Sequence, residues 1–172
     1  KKNIDTILVL DFGSQYTQLI ARRIRELDVF SVILPWDISK ERIAALNPVG
    51  IILSGGPESV TNNNTPRIPK IIFDLEIPIL GICYGMQTLA EQFGGQVTAS
   101  KTKEFGHASI TIETASTLFD GFDTGSAIDV WMSHGDHVSS LPDQFHLIAS
   151  TPSAPIAAMA HTEKPIYALQ FH

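Results

Sequence analysis

The stretch Ile79-Leu80-Gly81-Ile82-Cys83-Tyr84-Gly85-Met86-Gln87 constrains this chain more than any other. Ile79 to Ile82 is a short apolar run of the kind that forms a buried strand, and Met86 to Phe93 reads as a helix closed by Gly94-Gly95. Between them lies Gly-x-Cys-x-Gly, the pattern of a nucleophile elbow with cysteine at the reactive position. The glycines let the chain turn so sharply that the side chain between them stands exposed at the strand end. The following helix aims its amides and positive dipole end at that side chain, an arrangement that favours thiolate over thiol. A buried free cysteine beside a tight turn is the plainer alternative.

The residues before the elbow repeat a strand–helix alternation. Thr6 to Leu10 is an apolar strand ending at Asp11-Phe12-Gly13-Ser14, with Ser14 as N-cap of a helix from about Gln15 to Leu27. Tyr16, Leu19, Ile20, Ile24 and Leu27 recur at helical spacing and are expected to pack on the sheet; Arg22, Arg23 and Arg25 fall off that stripe, as a solvated face or a docking surface. Phe30 to Leu34 is a second strand, Ser39 to Leu46 a short helix capped by Ser39, and Gly50 to Leu53 a third strand. The glycine-rich loop Ser54-Gly55-Gly56-Pro57-Glu58-Ser59 follows; it is a plain turn or a set of amides presented to an anion or oxyanion. It lacks the length and the Lys of a nucleotide P-loop. Thr61 to Thr65 is a polar surface loop, and Pro66 to Leu75 a helix with Pro69 near its first turn. Near-continuously apolar strands separated by helices imply an open, mostly parallel α/β sheet with helices on both faces. In such sheets, sites form outside the carboxyl ends of the strands, where Asp11–Ser14, Ser54–Pro57 and the Cys83 elbow all sit.

After Gly95 the pattern changes to short strands joined by turns: Gln96 to Ala99, Ala108 to Glu113, Ala127 to Met132, His146 to Ser150, Ile156 to Ala160 and Ile166 to Gln170. Glu163-Lys164-Pro165 reads as a hairpin connection, so the second half extends the sheet with an antiparallel portion. No repeat or linker interrupts the 172 residues, and one domain is expected over 1–172. The formal net charge of −6 gives no support for nucleic-acid binding, and no apolar run is long enough to span a bilayer. A single cysteine cannot form an internal disulfide and fits a reducing, cytoplasmic setting; the first residues, Lys1 to Asp5, lack a signal-peptide core.

A cysteine nucleophile needs a base. Among the six histidines, His146 and His161 read as exposed or structural. His107, in a loop after Glu104-Phe105-Gly106, could line a site; His134 and His137 lie at a strand end and polar loop, and His172 closes the run Ile166 to Phe171. Spacing alone does not choose among these late-chain candidates.

Gly81-Ile82-Cys83-Tyr84-Gly85-Met86-Gln87, followed far downstream by Gln170-Phe171-His172, resembles the signature of the class I (triad-type) glutamine amidotransferases, and Ser54-Gly55-Gly56-Pro57 resembles that family's oxyanion strand. The stretches from Asp11 to Glu26 and from Trp131 to Asp136 are similar to the branch that supplies ammonia for making GMP, and the resemblance runs from about Ile7 to His172. It implies a flavodoxin-like fold and glutamine as substrate. Cys83 would be the nucleophile that forms a glutamyl thioester, and His172 its base. The amides of Gly56 and Tyr84 would hold the oxyanion, while Gln87, Ser133 and His134 would grip the amino-acid end of glutamine. No metal or cofactor is implied for this domain. ATP and Mg2+ are expected in an ATP pyrophosphatase (synthetase) module that aminates adenylated XMP, C-terminal to this stretch together with a homodimerisation region. The family's orienting Glu, beyond the His-Pro of its motif, is not among these residues. The alternatives are another class I glutaminase, a cysteine-elbow hydrolase acting on esters or peptides, and a non-catalytic regulator.

Overall fold

In the computed structural model, residues 4–57, 59–62 and 64–172 are described, together with the backbone but not the side chains of residues 100–104. Glu58 in the glycine-rich loop, Asn63 in the polar loop and the first three residues lie outside this set. The strands are β1 (Thr6–Asp11), β2 (Phe30–Pro35), β3 (Gly50–Leu53), β4 (Ile79–Ile82), β5 (Gln96–Ile112), β6 (Ala127–Ser140), β7 (Phe145–Ser150), β8 (Ala158–His161) and β9 (Ile166–Leu169). The helices are α1 (Thr17–Glu26), α2 (Lys40–Leu46), α3 (Lys70–Asp74) and α4 (Tyr84–Gln92), with a 3-10 turn at Thr117–Phe119.

The described strands form one sheet in the order β2-β1-β3-β4-β9-β8-β7-β5-β6. β2, β1, β3, β4 and β9 are parallel neighbours, and the remaining pairs are antiparallel. The expected parallel sheet with an antiparallel extension is therefore present. β9, latest in chain order, lies between the two halves. Leu8, Leu10, Ile51, Leu53, Ile79 and Ala168 share a core with Ile43 of α2, Ile72 of α3 and Met86 and Leu89 of α4. A second cluster beneath the antiparallel strands includes Ile110, Ile112, Met132, Ile148, Ala158 and Phe171.

Several local expectations change. α1 begins at Thr17, and Ser14 instead holds the entry turn, its Oγ accepting from the Tyr16 N–H at 3.0 Å. The Thr17 hydroxyl donates to Asp11 Oδ1 at 3.0 Å and lies 3.1 Å from Ser54 Oγ. These ties rotate the helix so that Thr17 and Ala21 face inward, while Tyr16, Leu19 and Leu27 stay 48%, 45% and 77% exposed. The apolar stripe thus borders an open groove rather than packing on the sheet, with half-buried Ile52 and Ile82 on its floor. α2 matches expectation, with Ser39 Oγ accepting from the Arg42 N–H at 3.3 Å. α3 is shorter than Pro66–Leu75: it starts after an extended Pro69, and the backbone groups of Ile68 bond the Gln92 side chain, at 2.9 Å from its N–H and 3.1 Å from its carbonyl. α4 begins immediately after Cys83. The two strands expected between Gln96 and Glu113 join into β5, and β6 continues through Ser133–His137, where a loop was expected.

Candidate active site

Parallel register assembles the site. Leu10 pairs with Leu53, Leu53 with Gly81, and Gly81 with Ala168, so four strands end at one level of the sheet edge. The turns that follow them carry Asp11–Ser14, Ser54–Pro57, Cys83 and Gln170–His172. Segments distant in sequence thereby become neighbours.

Cys83 adopts φ 53° with ψ −110°, a positive-φ conformation that a non-glycine residue occupies only where its surroundings enforce it. Its N–H donates to Leu169 O at 2.8 Å, and its carbonyl accepts from the Gln87 N–H at 3.1 Å. Space dictates the flanking glycines. A Cβ on Gly81 would lie 2.7 Å from Leu89 Cδ1, and one on Gly85 would lie 2.4 Å from the Leu53 carbonyl oxygen. The elbow is therefore as expected; the ionisation of its thiol is not. Burial pushes Cys83 up to about 12, and the thiol donates to the Gln170 carbonyl at 3.2 Å. Burial outweighs the helix dipole, and the resting group is a thiol that a base must deprotonate.

His172 is fixed through its backbone. Its N–H donates to Trp131 O at 3.0 Å and its carbonyl accepts from the Trp131 N–H at 2.8 Å, a two-bond bridge to β6. Its ring packs against Tyr16 with centroids 5.1 Å apart. Partial burial holds the imidazole pKa below the ordinary histidine value, so the ring is a neutral acceptor near pH 7. Cys83 and His172 share the wall of a cleft of about 360 Å³, with Ser14, Gly56 and Ser133. Among the described residues no carboxylate contacts the imidazole.

A second cavity, of about 410 Å³, opens on the other side of the thiol and includes Gly56, Gln87, Ser133, His134 and Asp136 in its lining. Among the described residues the backbone N–H groups of Gly56 and Tyr84 donate no hydrogen bond, which leaves both beside Cys83 as available donors. Gln87 is buried. Its amide nitrogen donates to Asp136 O at 3.1 Å and Gln170 Oε1 at 3.0 Å, and its Oε1 carries no hydrogen bond among the described residues. His134 Nδ1 lies 3.0 Å from the Asp136 carbonyl.

The sequence-predicted residues Cys83, His172, Gly56, Tyr84, Gln87, Ser133 and His134 thus converge on two adjoining cavities. His107 does not join them; it sits in β5, exposed, 3.1 Å from Asp129. His137 pairs with Thr98 at the far end of the β5–β6 ladder, and His161 is structural. Arg25, expected at a solvated or docking face, is exposed, and its guanidinium bonds Ser31 O at 2.7 Å and lies 5.3 Å from the Phe30 ring centre. Sequence reading missed Asp136, whose carboxylate is the only one in the cavity lining among the described residues and accepts from the Ser59 hydroxyl. It also missed the role of Ser54, which accepts from the Phe12 N–H at 3.2 Å and so ties the glycine-rich loop to β1. The polar run through Ser133-His134-Gly135-Asp136 was a signal for the first; the glycine-rich motif marked Ser54 itself but not its bond to Phe12. Among the described residues, no group of three or more His, Cys, Asp or Glu side chains is arranged to hold a metal ion.

Comparison with known proteins identifies the family. The family model for glutamine amidotransferase class-I matches residues 8–172. The glutamine-hydrolysing GMP synthase of Hamiltonella defensa is 56% identical over 99% of this chain and 34% of its own length. That of Pseudomonas aeruginosa (strain UCBPP-PA14) is 55% identical over 96% of this chain and 33% of its own. The chain therefore spans about a third of the length of these relatives. Among solved structures, a GMP synthase subunit of Thermoplasma acidophilum superposes with TM-score 0.84 at 36% identity, covering 100% of this chain and 85% of that one. A glutamine amidotransferase of Thermotoga maritima shares the fold, with TM-score 0.76 at 21% identity over 99% of this chain and 76% of that one.

Proposed function

The chain belongs to the class I glutamine amidotransferase family, and from that premise we propose that it is the glutaminase part of a GMP synthase. The observation that carries this reading is the juxtaposition, around one thiol, of an imidazole, two open backbone amides and a cavity bearing a single carboxylate. Glutamine enters that cavity with its ammonium on Asp136 and its carboxylate towards Ser133 and His134; Gln87 Oε1 accepts from the substrate. His172 takes the thiol proton as Cys83 Sγ attacks the side-chain amide carbon. The N–H groups of Gly56 and Tyr84 hold the resulting oxyanion, each worth about 3 kcal/mol in comparable sites. Collapse breaks the C–N bond, His172 returns the proton to the departing nitrogen, and ammonia leaves a glutamyl thioester. His172 then deprotonates a water that attacks the thioester, releasing glutamate and restoring the thiol. A Glu past His172 in the longer protein orients the imidazole.

The ammonia is used by a synthetase module that binds ATP and Mg2+ and aminates adenylated XMP, in the longer protein or as a separate polypeptide, and a homodimer forms through that region. The names and lengths of the relatives support this part of the reading. Labelling of Cys83 by an electrophilic glutamine analogue, followed by mass spectrometry, tests it. Modification confined to Cys83 and suppressed by glutamine but not asparagine supports a glutamine site, whether it occurs in this chain alone or after addition of a synthetase partner. No modification under either condition would overturn the proposal.

A further inference from the structure

The connection from β3 to α3 walls the Cys83 cavity yet contains no regular secondary structure among its described residues. Such a segment shifts unless side chains pin it. Its start is pinned by Ser54 to β1, and its middle by Ser59 to Asp136. Its far end is pinned by Gln92 at Ile68 and, towards the cavity, by Arg67. Nη2 donates to Val60 O at 2.8 Å and Glu91 Oε1 at 3.2 Å; Nη1 donates to Tyr84 Oη at 3.1 Å and Pro66 O at 3.2 Å, and contacts Thr65 Oγ1. The Tyr84 hydroxyl itself donates to the Pro66 carbonyl.

Arg67 therefore joins the loop that presents Gly56 to the residue that directly follows the nucleophile. The Tyr84 ring is buried and packs 5.6 Å from Phe12, whose N–H is held by Ser54, so loop and helix meet at one rigid junction. A guanidinium is planar, and its donors diverge at fixed angles; one such group can set the distance between two chain segments. We propose that Arg67 is a positioning residue that fixes the spacing between the Gly56 and Tyr84 amides. Its catalytic consequence rests on the glutaminase reading; its anchoring of the loop does not.

Two measurements on Arg67→Ala separate these. By hydrogen exchange, the hydrogen-bonded loop amides of Thr61, Asn62 and Ile68 exchange at least about tenfold faster than in the wild type, while β1 and β3 are unchanged. Unchanged loop exchange overturns the inference whether or not the protein hydrolyses glutamine. In glutamine turnover, kcat falls about 10²-fold with little change in KM, the effect of a displaced oxyanion donor. Alkylation of Cys83 by iodoacetamide, a displacement that needs no oxyanion site, stays within about twofold of wild type; an equal loss of alkylation makes Arg67 a mere fold support. Arg67→Lys keeps the charge but not the fork, and wild-type turnover in that variant also overturns the proposal. Tyr84→Phe keeps the buried ring and loses the shared hydroxyl. It reports on the same junction should Arg67→Ala not fold, with faster loop exchange expected and unchanged exchange counting against the tie.

Discussion

At Cys83 and His172, proton inventory decides reactivity. The thiol, at about 12, does not titrate between pH 6 and 10, while the imidazole loses its proton below the ordinary histidine value. On the proposed mechanism His172 acts as base only when neutral, so labelling of Cys83 by the glutamine analogue should rise through an acid limb below pH 6.5 and then stay level. In His172→Ala the plateau should vanish, with alkylation climbing about tenfold per pH unit through the neutral range; a level profile in that variant would make another group the base. Gly85 carries a different constraint, since a Cβ there meets backbone of β3 rather than a movable side chain. Gly85→Ala should cost about 3 kcal/mol in urea unfolding. Both residues were legible in sequence because elbow geometry permits so few residue types. Asp136 and Arg67 were not, because their importance comes from what the fold brings opposite them: Ser59 against Asp136, and Tyr84 and Glu91 of α4 against Arg67.

Elements that seemed separate prove continuous. The polar segment Ser133–His137 looks like a loop, yet it extends β6, because pairing with β5 turns part of its polar side chains into a cavity rather than into a core. Helix α1 shows the reverse error: its apolar periodicity was plain, but hydroxyl bonds from Thr17 set its rotation, and periodicity carries no information about those. The bridge between Trp131 and His172 uses both backbone groups of Trp131, which therefore bond His172 rather than β5. Trp131→Pro should loosen His172 without breaking the β5–β6 ladder, lowering kcat about tenfold or more at unchanged urea stability to within about 1 kcal/mol. At the β8–β9 hairpin, His161 Nδ1 accepts from the N–H groups of Glu163 and Lys164, at 3.1 and 3.0 Å. Burial, then Lys164, lowers its pKa, with Glu163 opposing. The folded state thus prefers neutral His161, so its stabilisation is complete above pH 6.5 and is lost as pH falls through the lowered folded value. Thermal melts from pH 7.5 to 5 should show this loss, and His161→Gln should flatten that part of the profile.

For the whole molecule, the alternation of strands and helices up to Cys83 was enough to place the edge that carries the candidate site, since parallel strands align their carboxyl ends. The order of strands was not legible: that β9 lies between β4 and β8 depends on long-range pairing that no local pattern encodes. A chain ending at Pro165 would leave both of those strands without their central neighbour, and it should show no cooperative urea transition and should aggregate. The placement of β9 also bears on the order of synthesis. As the chain leaves the ribosome, the thiol emerges well before the strand that completes its surroundings and well before His172. A nascent chain therefore carries an ordinary solvated thiol with no cavity beside it, and on the proposed mechanism ammonia release waits for the finished fold.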